Sequence, residues 1–224
     1  MGIKSRQEIK AIAKSAMGQQ RGTSILTILV IFAVYLVWGI IYGVLSILQA
    51  SVLLFLMNIA IIFVGLPLEV HASGIFFKIY NMIPANVSEL FSNFSVNFLR
   101  KVGGMLWMAL FTFLWMLLFV IPGIIKGIAY SMTPFILADC PDVTAREALK
   151  LSIRMTQGHK MDLFVLLLSF IGWFILGALT LHILTVVFVL PYYYTTYAGF
   201  YTELKNKALA TGVISQAELG VRLQ

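Results

Sequence analysis

Lys126 has the setting that most invites chemistry, as the one charge inside an otherwise apolar run from Ile124 to Ala138. A charge within a membrane-spanning helix is costly and by default marks a pathway or ligand site. Tyr130 and Thr133 follow at i+4 and i+7, so the three polar groups predict one helical face. Asn58, in the middle of another apolar run, and His182, at the start of a third, are the candidates to meet that face across a bundle. The stripe has two readings: it lines a polar pathway or ligand site, or it bonds neighbouring helices while the Lys126 stem snorkels to a membrane surface. Pro67, Pro122, Gly123 and Pro191 lie in or beside the apolar runs and are the candidate hinges or bends.

No catalytic constellation accompanies these residues. His71, His159 and His182 are isolated, and the chain has no His-Glu-x-x-His run, Gly-rich phosphate loop or nucleophile elbow. The single Cys140 excludes an intrachain disulfide and a cysteine metal cluster. No catalytic residue, metal ligand set or cofactor is therefore expected. Glu69 and His71 suggest a proton relay, but i and i+2 side chains do not share a helical face. Tyr192, Tyr193, Tyr194, Tyr197 and Tyr201 crowd one apolar end, as an aromatic belt at headgroup level would; the four-residue repeat of Tyr193, Tyr197 and Tyr201 also fits a stacking wall.

The elements that must position these groups follow from composition. Of 224 residues, 60% are hydrophobic and 11% charged, against about 25% charged in a soluble domain. The apolar residues come in blocks near the ~20 residues that an α-helix needs to cross a bilayer. The fold class is all-α: a polytopic membrane protein with six transmembrane helices in three hairpins and three cytoplasmic amphipathic interfacial helices. The spans are expected at 25–48, 52–68, 105–121, 124–138, 163–177 and 181–201, within a membrane domain 25–201. An amphipathic N-terminal helix occupies 1–24, a second interfacial helix lies within 79–104, and a third follows the capping box Thr144-Ala-Arg-Glu147. The tail 202–224 is expected to fray.

Charge sets the orientation. Residues 1–24 hold five Lys and Arg, 66–104 three, 139–162 four and 200–224 three; only Lys126 lies elsewhere. The positive-inside tendency makes those four segments, and both termini, cytoplasmic in a multi-pass plasma-membrane protein. The net charge of +7 then reflects orientation and contact with anionic lipids; the basic residues are dispersed and lack a reading module, so nucleic acid is not an expected partner. The bilayer is the expected partner, with a protein partner or a second copy as further candidates. A weak threefold pattern also runs through the chain: surface helix, Gly-containing polar step, span, short turn, span.

The segments Leu118-Phe-Val-Ile-Pro-Gly-Ile-Ile-Lys126, Tyr130-Ser-Met132, Leu137-Ala-Asp139, Gly158-His-Lys160, Leu168-Ser-Phe-Ile-Gly-Trp173 and Pro191-Tyr192, taken in order, resemble the domain of unknown function 975 family of bacterial, mainly Gram-positive, integral membrane proteins. The resemblance runs over nearly the whole chain, with one departure at Leu66-Pro67-Leu68, where Gly is expected before Pro. It implies a multi-span plasma-membrane protein and supplies no activity. More distantly, the chain is similar to the membrane region fused to some glycerophosphodiester phosphodiesterases, which implies a lipid-related role by analogy. The expected function is a non-enzymatic membrane protein that organises or binds lipids or membrane partners. The alternative is a transporter of a small solute, peptide or lipid, with protection against membrane-active peptides as a variant of either.

Overall fold

Side-chain capping boxes begin two of the α-helices, one of them at the Thr144 box read from the sequence. In a computed structural model describing residues 3–92 and 94–220, every regular element is helical. Parts of the expected 1–24 and 202–224 segments, and Asn93 of the expected second surface helix, lie outside the described residues. Helix α1, Arg6–Gln19, starts at Ser5, whose hydroxyl accepts from the Glu8 N–H at 3.3 Å while the Glu8 carboxylate accepts from the Ser5 N–H at 2.7 Å. Helix α7, Ala145–Thr156, starts on the matching Thr144 and Glu147 box. These bonds, with the Ser5 and Thr144 hydroxyls first, hold both carboxyls below the ordinary carboxylate range.

Five helical stretches are long and apolar enough to cross a membrane. They are α2 (Arg21–Ile47), α3 (Ser51–Tyr80), α4 (Phe98–Leu118), the pair α5 (Val120–Tyr130) and α6 (Thr133–Asp139), and α8 (Lys160–Leu179). The expected sixth, 181–201, is not among them. It divides into a turn, a π-helical stretch Thr185–Val189 and the start of α9, Leu190–Ala210, whose Tyr- and Thr-rich sequence is less apolar.

Four boundaries differ from expectation for physical reasons. Helix α3 does not end near Leu68; it continues through Pro67 and Glu69 to Tyr80, because Val70, Ala72, Ile75, Phe76 and Ile79 have a protein interior to enter. The second surface helix expected within 79–104 is replaced by turns and a single 3-10 turn at Val87–Leu90, flanked by positive φ at Met82 and Asn97. The span expected at 124–138 is broken at Ser131–Met132. Within its described part, 202–220, the tail is packed: α9 passes through Tyr201 to Ala210, and Leu204, Ala208, Ile214 and Leu219 are all buried.

Packing divides the molecule into two ends. At one end α1, the second half of α3, α6, α7 and α9 enclose Ile9, Phe76, Ile136, Phe170, Phe200 and Tyr201 completely. Helix α1 lays its apolar face, Ile9, Ala13 and Ala16, on α9 and α3, so that face is covered by protein. Lys10 extends from it over the Phe170 ring at 4.4 Å and donates to Ser169 Oγ at 2.7 Å. At the other end α2, the first half of α3, the α4–α5 hairpin and the second half of α8 expose large apolar side chains, up to 83% at Ile47 and 86% at Leu181.

Candidate functional site

The residues singled out by sequence do not converge. Lys126 lies over the Trp115 ring at 4.9 Å and Tyr130 packs against Phe111 at 6.4 Å, so both address α4 within their own hairpin. The helix break separates Thr133 from that face; it is fully buried, and its hydroxyl has no partner among the described residues. Asn58 is exposed and donates to Leu54 O of its own helix at 2.8 Å. His182 occupies the turn before the π-helical stretch, with φ of 65°. None of Asn58, Lys126 and His182 touches another through an ion pair or hydrogen bond among the described residues.

The hinge candidates are structural. The α4–α5 turn falls at extended Phe119, which places Pro122 and Gly123 inside the first turn of α5. A Cβ on Gly123 would meet Met116 Cα at 2.7 Å, so this close helix approach requires glycine. Pro67 is buried within continuous α3, and Pro191 is buried at the start of α9, directly after the π-helical stretch.

The break between α5 and α6 is repaired from outside. Ser152 of α7, fully buried, donates to Ala129 O at 2.7 Å and accepts from Met132 N–H at 3.2 Å. One hydroxyl thereby serves an amide and a carbonyl at the break, and Thr156 Oγ1 adds a second bond to Ala129 O at 3.4 Å.

The packed end also holds the charge networks. His71 Nδ1 lies 2.8 Å from Glu89 O, and since a carbonyl only accepts, Nδ1 carries the proton and Nε2 accepts from Lys101 Nζ at 2.8 Å. Lys78 pairs with Glu89 at 2.8 Å. Arg100 donates to Leu137 O, Cys140 O and Val143 O at 2.5, 3.0 and 2.6 Å, which caps the C-terminus of α6. These groups border a cavity of about 480 Å³. Nearby, Asp139 accepts from Lys205 at 2.5 Å and from Tyr201 at 2.7 Å. Burial, helped by Asp139, pushes the Cys140 thiol up to about 11, so it stays protonated and unreactive near neutral pH.

The site that sequence reasoning missed lies where the packed and open ends meet. Glu69 borders a crevice of about 300 Å³ together with Ser73, Met108, Thr112, Phe135, Tyr193, Tyr194 and Tyr197. His71, two residues on, lines the other cavity, so the helix separates the two groups of the suggested relay. The rings are fixed by one another: Tyr193 stacks on Tyr197 at 5.5 Å and meets Tyr194 edge-on at 5.6 Å, and Phe135 lies 6.1 Å from Tyr197. Tyr192, Tyr197 and Tyr201 are buried in protein and so do not form a surface belt. The legible signal was the tyrosine repeat together with Glu69 as an acid inside an apolar helix. A second crevice at the junction, of about 370 Å³, is lined by Trp107, Phe111, Tyr130, Arg146, Leu149 and Lys150 among others.

Residues 116–208 match the model of a family described as a protein of unknown function (DUF975). Over that stretch the chain resembles DUF975. The matched region runs from the end of α4 to near the end of α9, so it includes the α5–α6 break, α7 and the tyrosines of the Glu69 crevice; it is narrower than the nearly full-length resemblance read from the sequence. No curated protein and no solved structure matches the chain.

Proposed function

We propose that this chain is a non-enzymatic integral plasma-membrane protein that binds amphiphilic lipids from the side, with both termini in the cytoplasm. The observation that carries this reading is the pair of crevices at the junction of the two ends. Each combines an apolar wall with charged groups, Glu69 in one and Arg146 with Lys150 in the other. Such a combination suits a molecule with a polar head and an apolar tail. The exposed apolar end supplies the surface for the bilayer. Arg146 and Lys150 favour anionic lipids among the ligands.

The termini support an even number of crossings. Lys4 and Glu203 pair at 2.8 Å and α1 packs on α9, which favours both ends on one side. Residues 181–201 are then the sixth crossing, and the basic segments choose the cytoplasmic side. Single-cysteine labelling at Gln49 or Thr180 from outside the cell tests this; reaction only from the cytoplasm rejects it.

Native mass spectrometry of the full chain, extracted in mild detergent, tests lipid binding. A lipid retained at fixed stoichiometry is expected, and a lipid-free protein that takes up none on reconstitution rejects the reading. Transport is the second reading, favoured by the broken α5–α6 pair and the π-helical stretch beside α9. In proteoliposomes it requires a fluorescent lipid to change leaflets faster than in protein-free vesicles.

A further inference from the structure

The carboxylates of this chain are almost all accounted for. Glu89, Asp139, Glu203 and Glu218 pair with Lys78, Lys205, Lys4 and Arg154, and Asp162 pairs with His159. Glu8 and Glu147 cap helices, and Asp142 sits exposed in a turn. Glu69 differs: it belongs to a helix long and apolar enough to cross a membrane, and it has no hydrogen bond or ion pair among the described residues. Along α3, at about 1.5 Å per residue, it lies about 27 Å from Ser51, near one limit of a hydrocarbon core about 30 Å thick. Glu69 is exposed at that level, and no basic side chain pairs with its carboxylate among the described residues.

What surrounds Glu69 indicates what would complete it. Tyr193, Tyr194, Tyr197 and Phe135 bring electron-rich rings to the same crevice, and Ser73 and Thr112 add hydroxyls. Among the described residues no Lys, Arg or His lines it. A carboxylate beside several aromatic rings is the donor set that recognises an ammonium, most of all a methylated one, whose charge is spread over carbon and meets ring faces without losing strong hydration. The volume of about 300 Å³ is sufficient for a quaternary ammonium headgroup. Met108 on the wall and the apolar surface of α4 beyond it leave a tail free to lie along the protein.

We propose that Glu69 and the Tyr193, Tyr194, Tyr197 and Phe135 rings form a lateral site for the ammonium headgroup of a membrane amphiphile. This rests on the reading that the protein takes amphiphiles from the bilayer, and it assigns the sign and chemistry of the head at one of the two crevices. The Arg146 and Lys150 crevice has the opposite sign, so the two sites sort heads by charge.

The test uses the full chain in nanodiscs of neutral lipid, with dodecyltrimethylammonium, dodecyl sulfate and tetramethylammonium as probes and calorimetry as the readout. Glu69→Gln keeps the shape of the side chain and removes its charge, and Tyr197→Leu removes one ring. Dodecyltrimethylammonium is expected to bind at least about tenfold tighter to the native chain than to either variant, while dodecyl sulfate affinity is unchanged by them. The proposal is overturned if Glu69→Gln binds the cation as the native chain does. It is also overturned, with no variant needed, if tetramethylammonium binds as tightly as the alkylated cation, since the ligand would then be a soluble ion. If no amphiphile of either charge binds, the broader lipid reading fails; if only dodecyl sulfate binds, that reading stands and the ammonium assignment falls.

Discussion

The two ends of the molecule use the same residue types under opposite rules. In the packed end Ile, Phe and Tyr side chains are enclosed, and several polar groups among them have specific partners, Ser152 two backbone groups, Arg100 three carbonyls and Tyr201 Asp139, although the Tyr80 and Thr133 hydroxyls have none among the described residues. In the open end large apolar side chains face outward, and helices approach closely at glycines such as Gly65 under the Tyr35 hydroxyl and Gly123 against Met116. The lesson is that burial within protein is concentrated where charge must be managed, and apolar exposure where it need not be. Substitutions should therefore cost most in the end that looks soluble.

The strongest way to break that comparison is at Gly199, where a Cβ would collide with the Tyr80 ring and come within 2.8 Å of Ile9 Cγ2. Gly199→Val should cost more than about 3 kcal/mol and abolish recovery of monodisperse protein. Gly39→Val, with nothing near a Cβ, is the matched control in the open end and should be recovered normally. Asp139→Asn removes the negative charge that pairs with Lys205 and leaves Lys205 and Tyr201 one neutral amide oxygen to share, and a loss of about 2–3 kcal/mol is expected, read as a lower thermal midpoint. Ser152→Ala leaves Met132 N–H unserved and Ala129 O with only the 3.4 Å bond from Thr156 Oγ1, at about 1–3 kcal/mol by the same measurement. At the small end of the scale, Lys126→Met exchanges one contact with the Trp115 ring for an apolar side chain and should move stability by less than about 1 kcal/mol. If Lys126→Met proves more damaging than Ser152→Ala, the contrast between the ends is wrong.

Much of this was legible in the sequence, for local reasons. Five of the six long apolar runs and the Thr144 capping box depend on neighbours in the chain, and each corresponds to a helical stretch in the structure. The overrun of α3 was not legible, because hydropathy reads Glu69, His71 and Lys78 as a return to water; it cannot distinguish a helix entering water from one entering a polar protein interior. The expected helix around Phe91, Phe94 and Phe98 failed for a related reason. The apolar spacing is helical, but Asn97 adopts φ of 52° and the rings turn to neighbours from other elements: Phe94 stacks on His71 at 5.9 Å and Phe98 on Phe63 at 6.3 Å. A stripe such as Lys126, Tyr130 and Thr133 is likewise correct only while the helix continues, and the signal for the break is the next residue, Pro134, which has no N–H to give and occupies the first turn of α6. Three places in the chain nonetheless begin with the same box, Ser5 with Glu8, Asn86 with Glu89 and Thr144 with Glu147, even though the middle one opens only a 3-10 turn.

The Ser152 bridge also imposes an order of assembly. The amide and carbonyl that it serves belong to Met132 and Ala129, which leave the ribosome before it does. Until α7 docks, the junction of α5 and α6 carries two unpaired backbone groups, so it favours water over hydrocarbon. The α4–α5 hairpin can insert early, whereas α6 can settle only once a helix made later arrives to close the gap.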